Sequence, residues 1–286
     1  MATTFVPIGP VTEALTAAWA AIAELGHTLD DDGWTSPSVL PGWTQGDIVA
    51  HIIGTESMLA GRDADEVPDV GSLAHVRNPI GELNEKWITQ FRSVARGDVL
   101  AALDEIVAVR VGALRAMTQE DFDAETMTPA GADTYGRFMR IRIFDCWMHE
   151  VDLRDGIGTS TMPTTPTTPT TPTAPDALTT DWALAEIAAS LPFVVGKRAG
   201  AAAGSTVHFR ITGPAPRDVR IAVGERAAAV DAFDGGDDTA TVRLTVDAVD
   251  LARLVGGRRD ADPASVSVDG DAELAARIVE RANYVI

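Results

Sequence analysis

The stretch Thr161–Pro175, TMPTTPTTPTTPTAP, decides how the chain divides, because it repeats every three residues with proline at the end of each repeat. Proline supplies no amide hydrogen and fixes its own φ, so such a run reads as an extended, polyproline-like spacer of about 3.1 Å per residue. Threonine gives it neither the aromatic nor the basic flanks of a proline-rich ligand. Residues 159–176 are therefore expected to be a linker between two domains, 1–158 and 177–286.

Before the linker the periodicity is helical. Leu15, Ala18, Trp19, Ile22 and Leu25 follow helix spacing, and Gly26 is expected to stop that helix. In LPGWTQGDIVAHIIGTESMLAG, Pro41 and Gly42 make a turn and Thr44 is a good N-cap. Asp47, three residues on, suggests a capping box, and Ile48, Ile52, Met58 and Leu59 form the buried side. Leu83, Trp87, Phe91 and Val94 mark a third helical region. Leu103, Val107, Val111 and Leu114 mark a fourth, and a last helix from about Gly136 to Arg154 carries Phe144, Trp147, Met148 and Val151. With no convincing strand before residue 160, the first domain is expected to be an up-and-down four-helix bundle.

After the linker the grammar changes. A helix is expected from about Ala177 to Ala202. The segments STVHFRITG, RDVRIAVG, AAAVDAF and ATVRLTV then alternate apolar and polar residues between glycine or aspartate breaks, the signature of antiparallel strands. DAVDLARLVGG and DAELAARIVERAN add two helices with the short strand ASVSVDG between them. The second domain is therefore expected to be α+β, a small sheet with helices on one face.

Composition narrows the partners. The 286 residues are 45% apolar and carry a net charge of −19, with no Lys/Arg-rich run. Nucleic acid and anionic membranes are bound through basic surfaces, so neither is expected as a partner. The N-terminal MATTFVPIGP has no basic n-region or apolar h-region, and no uninterrupted apolar run reaches a membrane span, so the expected location is cytoplasmic. With one cysteine, Cys146, no intramolecular disulfide can form.

The chemistry concentrates in FDCWMHEVDLRDGIG, Phe144–Gly158. Asp145 and His149 are four apart and share a helix face, so both can point at one ion, with a third ligand from a neighbouring helix. His51 is the candidate. Two imidazoles and a carboxylate suit zinc with a fourth position open. The competing explanation is a hydrogen-bonded core histidine, which spacing alone favours. Asp152 is placed to orient His149, and Asp47 to orient His51 if its capping role allows, while Glu150 faces elsewhere. Arg142 lies three residues before Asp145, where it fits either a substrate clamp or a salt bridge. Cys146 reads as a buried, inert thiol. His27 reads as a helix C-terminal partner, and His75 and His208 receive no role.

Taken together and in order, PGWTQGDIVAHIIGTESMLAG, RIRIFDCWMHEVDLRDGIG and TVRLTVDAVDLARLVGGRRD…SVSVDGDAELAARI resemble the mycothiol-dependent maleylpyruvate isomerase family of actinobacteria. The resemblance covers nearly the whole chain. It implies a DinB-like metal-binding bundle followed by a sterol-carrier-like domain, with the metal on His51, Asp145 and His149. The family's isomerase typically carries glutamate where this chain has Asp145. The resemblance further implies mycothiol as the thiol that occupies the open position, and an arginine from VGGRRD, Arg258 ahead of Arg259, that acts at the site. A metal lowers the pKa of a bound thiol, so the implied chemistry is thiolate addition to a small electrophile, in an S-transferase or an isomerase. The alternatives are a metal-dependent hydrolase of the same bundle, and a non-enzymatic carrier whose second domain holds an apolar ligand.

Overall fold

A computed structural model of the chain describes residues 3–159 and 174–285. Residues 160–173, which make up most of the expected linker, lie outside the described residues. The chain divides into two compact units, residues 1–173 and 174–286.

The first unit contains α1 (Ile8–Thr28), α2 (Asp31–Thr35), α3 (Gln45–Leu59), α4 (Pro79–Phe91), α5 (Arg96–Ala116), α6 (Gln119–Asp123), a hairpin of β1 (Glu125–Thr128) and β2 (Gly131–Thr134), and α7 (Tyr135–Thr159). Helices α1, α3, α5 and α7 pack on one another as the bundle, and α4 lies against α3. Trp19, Ile22, Ile52, Leu103, Ile106 and Trp147 are fully buried between them. Helix α3 opens on the expected capping box: the Asp47 N–H donates to Thr44 Oγ1 at 3.1 Å, and the Thr44 N–H donates back to Asp47 Oδ2 at 3.0 Å. Every residue from Gln45 to Gly54 is buried, because α3 is covered by α1, α2, α4, α5 and α7 at once. A helix enclosed on all sides carries its polar residues inward, which is how His51 and Glu56 come to lie in the interior.

Two expectations for this unit fail. Gly26 does not stop α1, which runs on to Thr28. A Cβ at Gly26 would lie 2.9 Å from Leu100 Cδ2, so this glycine serves the close approach of α5. A pair of strands also precedes residue 160. The hairpin has only four residues a side and no buried alternation, so nothing in its periodicity announces it. Its position comes from capture of the N-terminal segment: the Thr4 N–H donates to Asp133 Oδ1 at 2.8 Å, and Thr134 Oγ1 donates to the Thr4 carbonyl at 2.6 Å.

The second unit contains α8 (Ala177–Phe193), β3 (Thr206–Thr212), β4 (Arg217–Val223), β5 (Ala227–Val230), β6 (Val242–Asp247), α9 (Ala248–Val255), β7 (Ser267–Gly270) and α10 (Ala272–Glu280). The α-helix ends at Phe193 rather than near Ala202, because Pro192 removes a donor from the ladder; a π turn, Val194–Arg198, follows. The five strands form one sheet in the order β5-β4-β3-β6-β7. Strands β3 and β6 are parallel, in register Phe209↔Leu244, and the other pairings are antiparallel. The sheet is thus mixed. Alternation tells which face a residue takes but not which way its neighbour runs. Val207, Phe209, Ile211, Val219, Ile221, Leu244 and Val246 form the buried face, with Leu184 and Ile187 of α8, Leu251 of α9 and Ile278 of α10. The segment Ala177–Arg198 is long and apolar enough to cross a membrane by composition, but half of its residues are buried inside the unit, as in a core helix. Between these layers the interior leaves an apolar cavity of about 20 Å³.

Candidate metal centre

His51 comes from the middle of α3, and Asp145 and His149 stand one turn apart on α7, which packs against α3. His51 Nε2 lies 3.3 Å from Asp145 Oδ2, and His149 Nε2 lies 3.8 Å from Asp145 Oδ1. The two imidazole rings meet edge to face with centroids 4.9 Å apart. One donor atom from each of the three residues falls within 4.8 Å of the other two. The imidazoles are 7% and 8% exposed and the aspartate 32%, so solvent reaches the cluster across the carboxylate.

The protonation states suit a ligand set. Burial lowers the pKa of His51 despite the opposing pull of Asp145, which favours the neutral imidazole that a metal requires. Burial opposes ionisation of Asp145, but the Arg142 guanidinium, and after it the two imidazoles, hold its carboxyl well below the usual range. His149 Nδ1 is 3.0 Å from Asp152 Oδ2, and Asp152 is fully buried. In that bond Nδ1 is the donor to the carboxylate and Nε2 is the ring nitrogen turned toward Asp145, the orienting arrangement common around metal-bound histidine. His51 Nδ1 is buried without a hydrogen-bond partner. Two imidazoles and an ionised carboxylate at this spacing fit a three-ligand divalent site of the zinc type.

A wall and a floor complete the cluster. The Trp43 ring lies 5.3 Å from that of His51 and 6.1 Å from that of His149, centroid to centroid. Its indole N–H donates to Glu85 Oε1 at 2.8 Å, and the same oxygen is 2.7 Å from His75 Nε2. His75, which had no role in the sequence, therefore supports that wall. Trp43 was also unassigned, although it stands in PGWTQGD, one residue before the helix cap. The floor is Arg142, which is buried and reaches from α7 to Glu56 on α3 as well as to Asp145.

The remaining candidates have places and partners of their own. Asp47 is occupied by the Thr44 cap and by Arg92 Nε at 3.3 Å, not by His51. Glu150 pairs with Arg154 at 2.6 Å. Cys146 is fully buried, and burial pushes its thiol pKa up. His27 is in the last turn of α1. His208 is 2.7 Å from Asp218 on the sheet of the second unit. Arg258 follows α9 in that unit, where its Nη1 donates to the Gly256 carbonyl at 3.0 Å.

A helical bundle carrying a His/Asp/His cluster, followed by a mixed α+β unit, defines a two-domain protein with a candidate metal centre in its first domain. Comparison with protein families gives the class a name: residues 15–154 match the mycothiol maleylpyruvate isomerase N-terminal domain, and residues 181–277 match the MDMPI C-terminal domain of the same family. The chain belongs to the mycothiol maleylpyruvate isomerase family. Among solved structures it is similar to the crystal structure of the mycothiol-dependent maleylpyruvate isomerase and to that of a histidine-to-alanine mutant of the same enzyme. In each case the identity is 16%, the TM-score 0.56 and the coverage 92% of this chain and 93% of the other. At that identity the likeness is one of fold. No curated protein matches the chain.

Proposed function

We propose that this protein is a metal-dependent enzyme that uses mycothiol, with His51, Asp145 and His149 holding one divalent ion, most simply zinc, and a small electrophile as the second substrate. The observation that carries the proposal is the cluster itself: three ligand-competent side chains, two of them enclosed, with the third open to solvent. When bound, the ion supplies a Lewis acid that lowers the pKa of a coordinated thiol. The chain's residues do the rest. Asp152 holds His149 in the ligating tautomer, and Trp43 excludes water from one side of both imidazoles. Arg258 is proposed, from the family resemblance, to contact the substrate.

An external thiol agrees with the composition, since Cys146 is buried and its thiol is shifted away from ionisation. The reaction proposed is addition of the thiolate to an electrophilic carbon, the step shared by S-transfer and isomerisation. Its proposed setting is the cytoplasm, whose reducing poise keeps small thiols free. An apolar-ligand carrier is less well supported, because the enclosed apolar cavity of the second unit is only about 20 Å³, and the larger hollow of about 400 Å³ in that unit is an open one bordered by Arg217, Asp218 and Arg220. Incubation of the purified protein with a panel of electrophiles, with and without mycothiol, tests the proposal. Products that require the thiol support it, and equal product without the thiol moves the assignment to hydrolysis. Arg258→Ala is expected to slow turnover while leaving metal content unchanged.

A further inference from the structure

Beneath Asp145 lies a chain of buried charges that the ligand set alone does not require. Glu56 on α3 is fully buried. Its Oε1 accepts from Trp19 Nε1 of α1 at 3.2 Å and from Arg142 Nε of α7 at 2.9 Å, and its Oε2 accepts from Arg110 Nε of α5 at 3.0 Å. Arg142 passes the connection on: Nη1 donates to Asp145 Oδ2, and Nη2 lies 3.6 Å from Cys146 Sγ. Arg110 is fixed in turn by the Tyr135 hydroxyl at 3.1 Å. Each of α1, α3, α5 and α7 contributes at least one member.

Such a chain is a poor way to stabilise a core. Desolvating two arginines and a glutamate costs several kcal/mol per ion, and apolar residues of like volume commonly do as well or better. What the chain provides is a fixed direction. Asp145 has a short side chain that is 32% exposed, and the guanidinium that grips its carboxylate is anchored at its far edge by Glu56.

We infer that Arg142 and Glu56 are positioning residues for the metal centre: Glu56 holds Arg142, and Arg142 holds the Asp145 carboxylate between the two imidazoles. The inference rests on the metal-site proposal above and assigns Arg142 a role that does not involve substrate.

The test is zinc affinity, measured on metal-stripped protein by competition with a chromogenic chelator. It compares the wild type, Arg142→Lys, Asp145→Asn and the double variant. Lysine keeps the charge but cannot bridge Glu56 and Asp145 with separate nitrogens of a rigid fork. Arg142→Lys is expected to weaken zinc binding about 10- to 100-fold, the usual cost of removing a group that orients a ligand. In the Asp145→Asn background the same change is expected to cost less than about twofold, because the group through which it acts is already lost. A merely structural role would weaken both backgrounds equally, and that result, or wild-type affinity in Arg142→Lys, overturns the inference while leaving the site intact. Absence of zinc binding by the wild type overturns the site and the inference together. Should Arg142→Lys lose its helical circular dichroism, Glu56→Gln replaces it under the same criteria, since it leaves Arg142 in place and weakens its anchor.

Discussion

The bond between His149 and Asp152 isolates one contribution to metal binding that can be measured. Its length is 3.0 Å, the carboxylate is fully buried, and the imidazole is only 8% exposed, so water cannot readily replace the acceptor. A hydrogen bond to a charged group of this kind contributes about 1.5–3 kcal/mol. Removing a partner that orients a metal-bound histidine typically costs about 10- to 100-fold in affinity, or about 1.4–2.7 kcal/mol, in the same range. Asp152→Ala is therefore expected to raise the zinc dissociation constant by one to two powers of ten (about 10- to 100-fold). Asp152→Asn, which keeps an acceptor without its charge, should fall between that variant and the wild type. The assay is chelator competition on the stripped protein, with thermal unfolding of the metal-free form as a separate record of any loss of packing. Wild-type zinc affinity in a folded Asp152→Ala protein would refute the idea that Asp152 sets the His149 tautomer for a metal.

Three further outcomes are expected. Cys146 in the native protein should resist iodoacetamide at pH 8 and react only after denaturation, because the thiol is enclosed and its ionisation disfavoured; rapid native labelling would contradict both points. Gly46→Ala should destabilise the bundle by about 1–3 kcal/mol in urea unfolding, even though alanine favours helix, since the new Cβ would stand 2.4 Å from Trp34 Nε1; a more stable variant would show that the indole yields freely. Burial opposes ionisation of Asp133, but N–H donors from Thr4, Arg137 and Thr134 prevail and bring its pKa to about 2 from 3.8. The folded-state pKa is the lower one, so this stabilisation is present above about pH 4 and lost as pH falls through about 2. It amounts to about 2 kcal/mol, and Asp133→Asn should flatten that part of the acid-unfolding curve.

Most of the bundle is legible in the sequence because its signals are local. The Thr44 cap, the Asp47 return bond and the spacing of Phe144, Trp147, Met148 and Val151 each depend on residues within a turn or two. The hairpin and the parallel β3–β6 pair are not legible, since the first is fixed by Thr4, far away in sequence, and the second by strand direction, which alternation does not encode. The cluster follows the same division. The shared face of Asp145 and His149 can be read from a spacing of four. The approach of His51, the wall of Trp43 and Glu85, and the bond from Glu56 to Arg142 arise only when α3 is enclosed by its neighbours.

Charge balance links the floor of the site to its proposed chemistry. Beneath the cluster two cations stand against two carboxylates: the Arg142 guanidinium faces Glu56 and Asp145, and Arg110 faces Glu56 from another helix. Under the proposed function, Asp145 would meet the ion already compensated by Arg142, so the ion's charge would be offset less than by a free carboxylate. An anionic fourth ligand would then be favoured over a neutral one, and a thiolate is also the softer partner for zinc. Were Arg142 apolar, the ion would be the cation facing Asp145 and that preference would weaken.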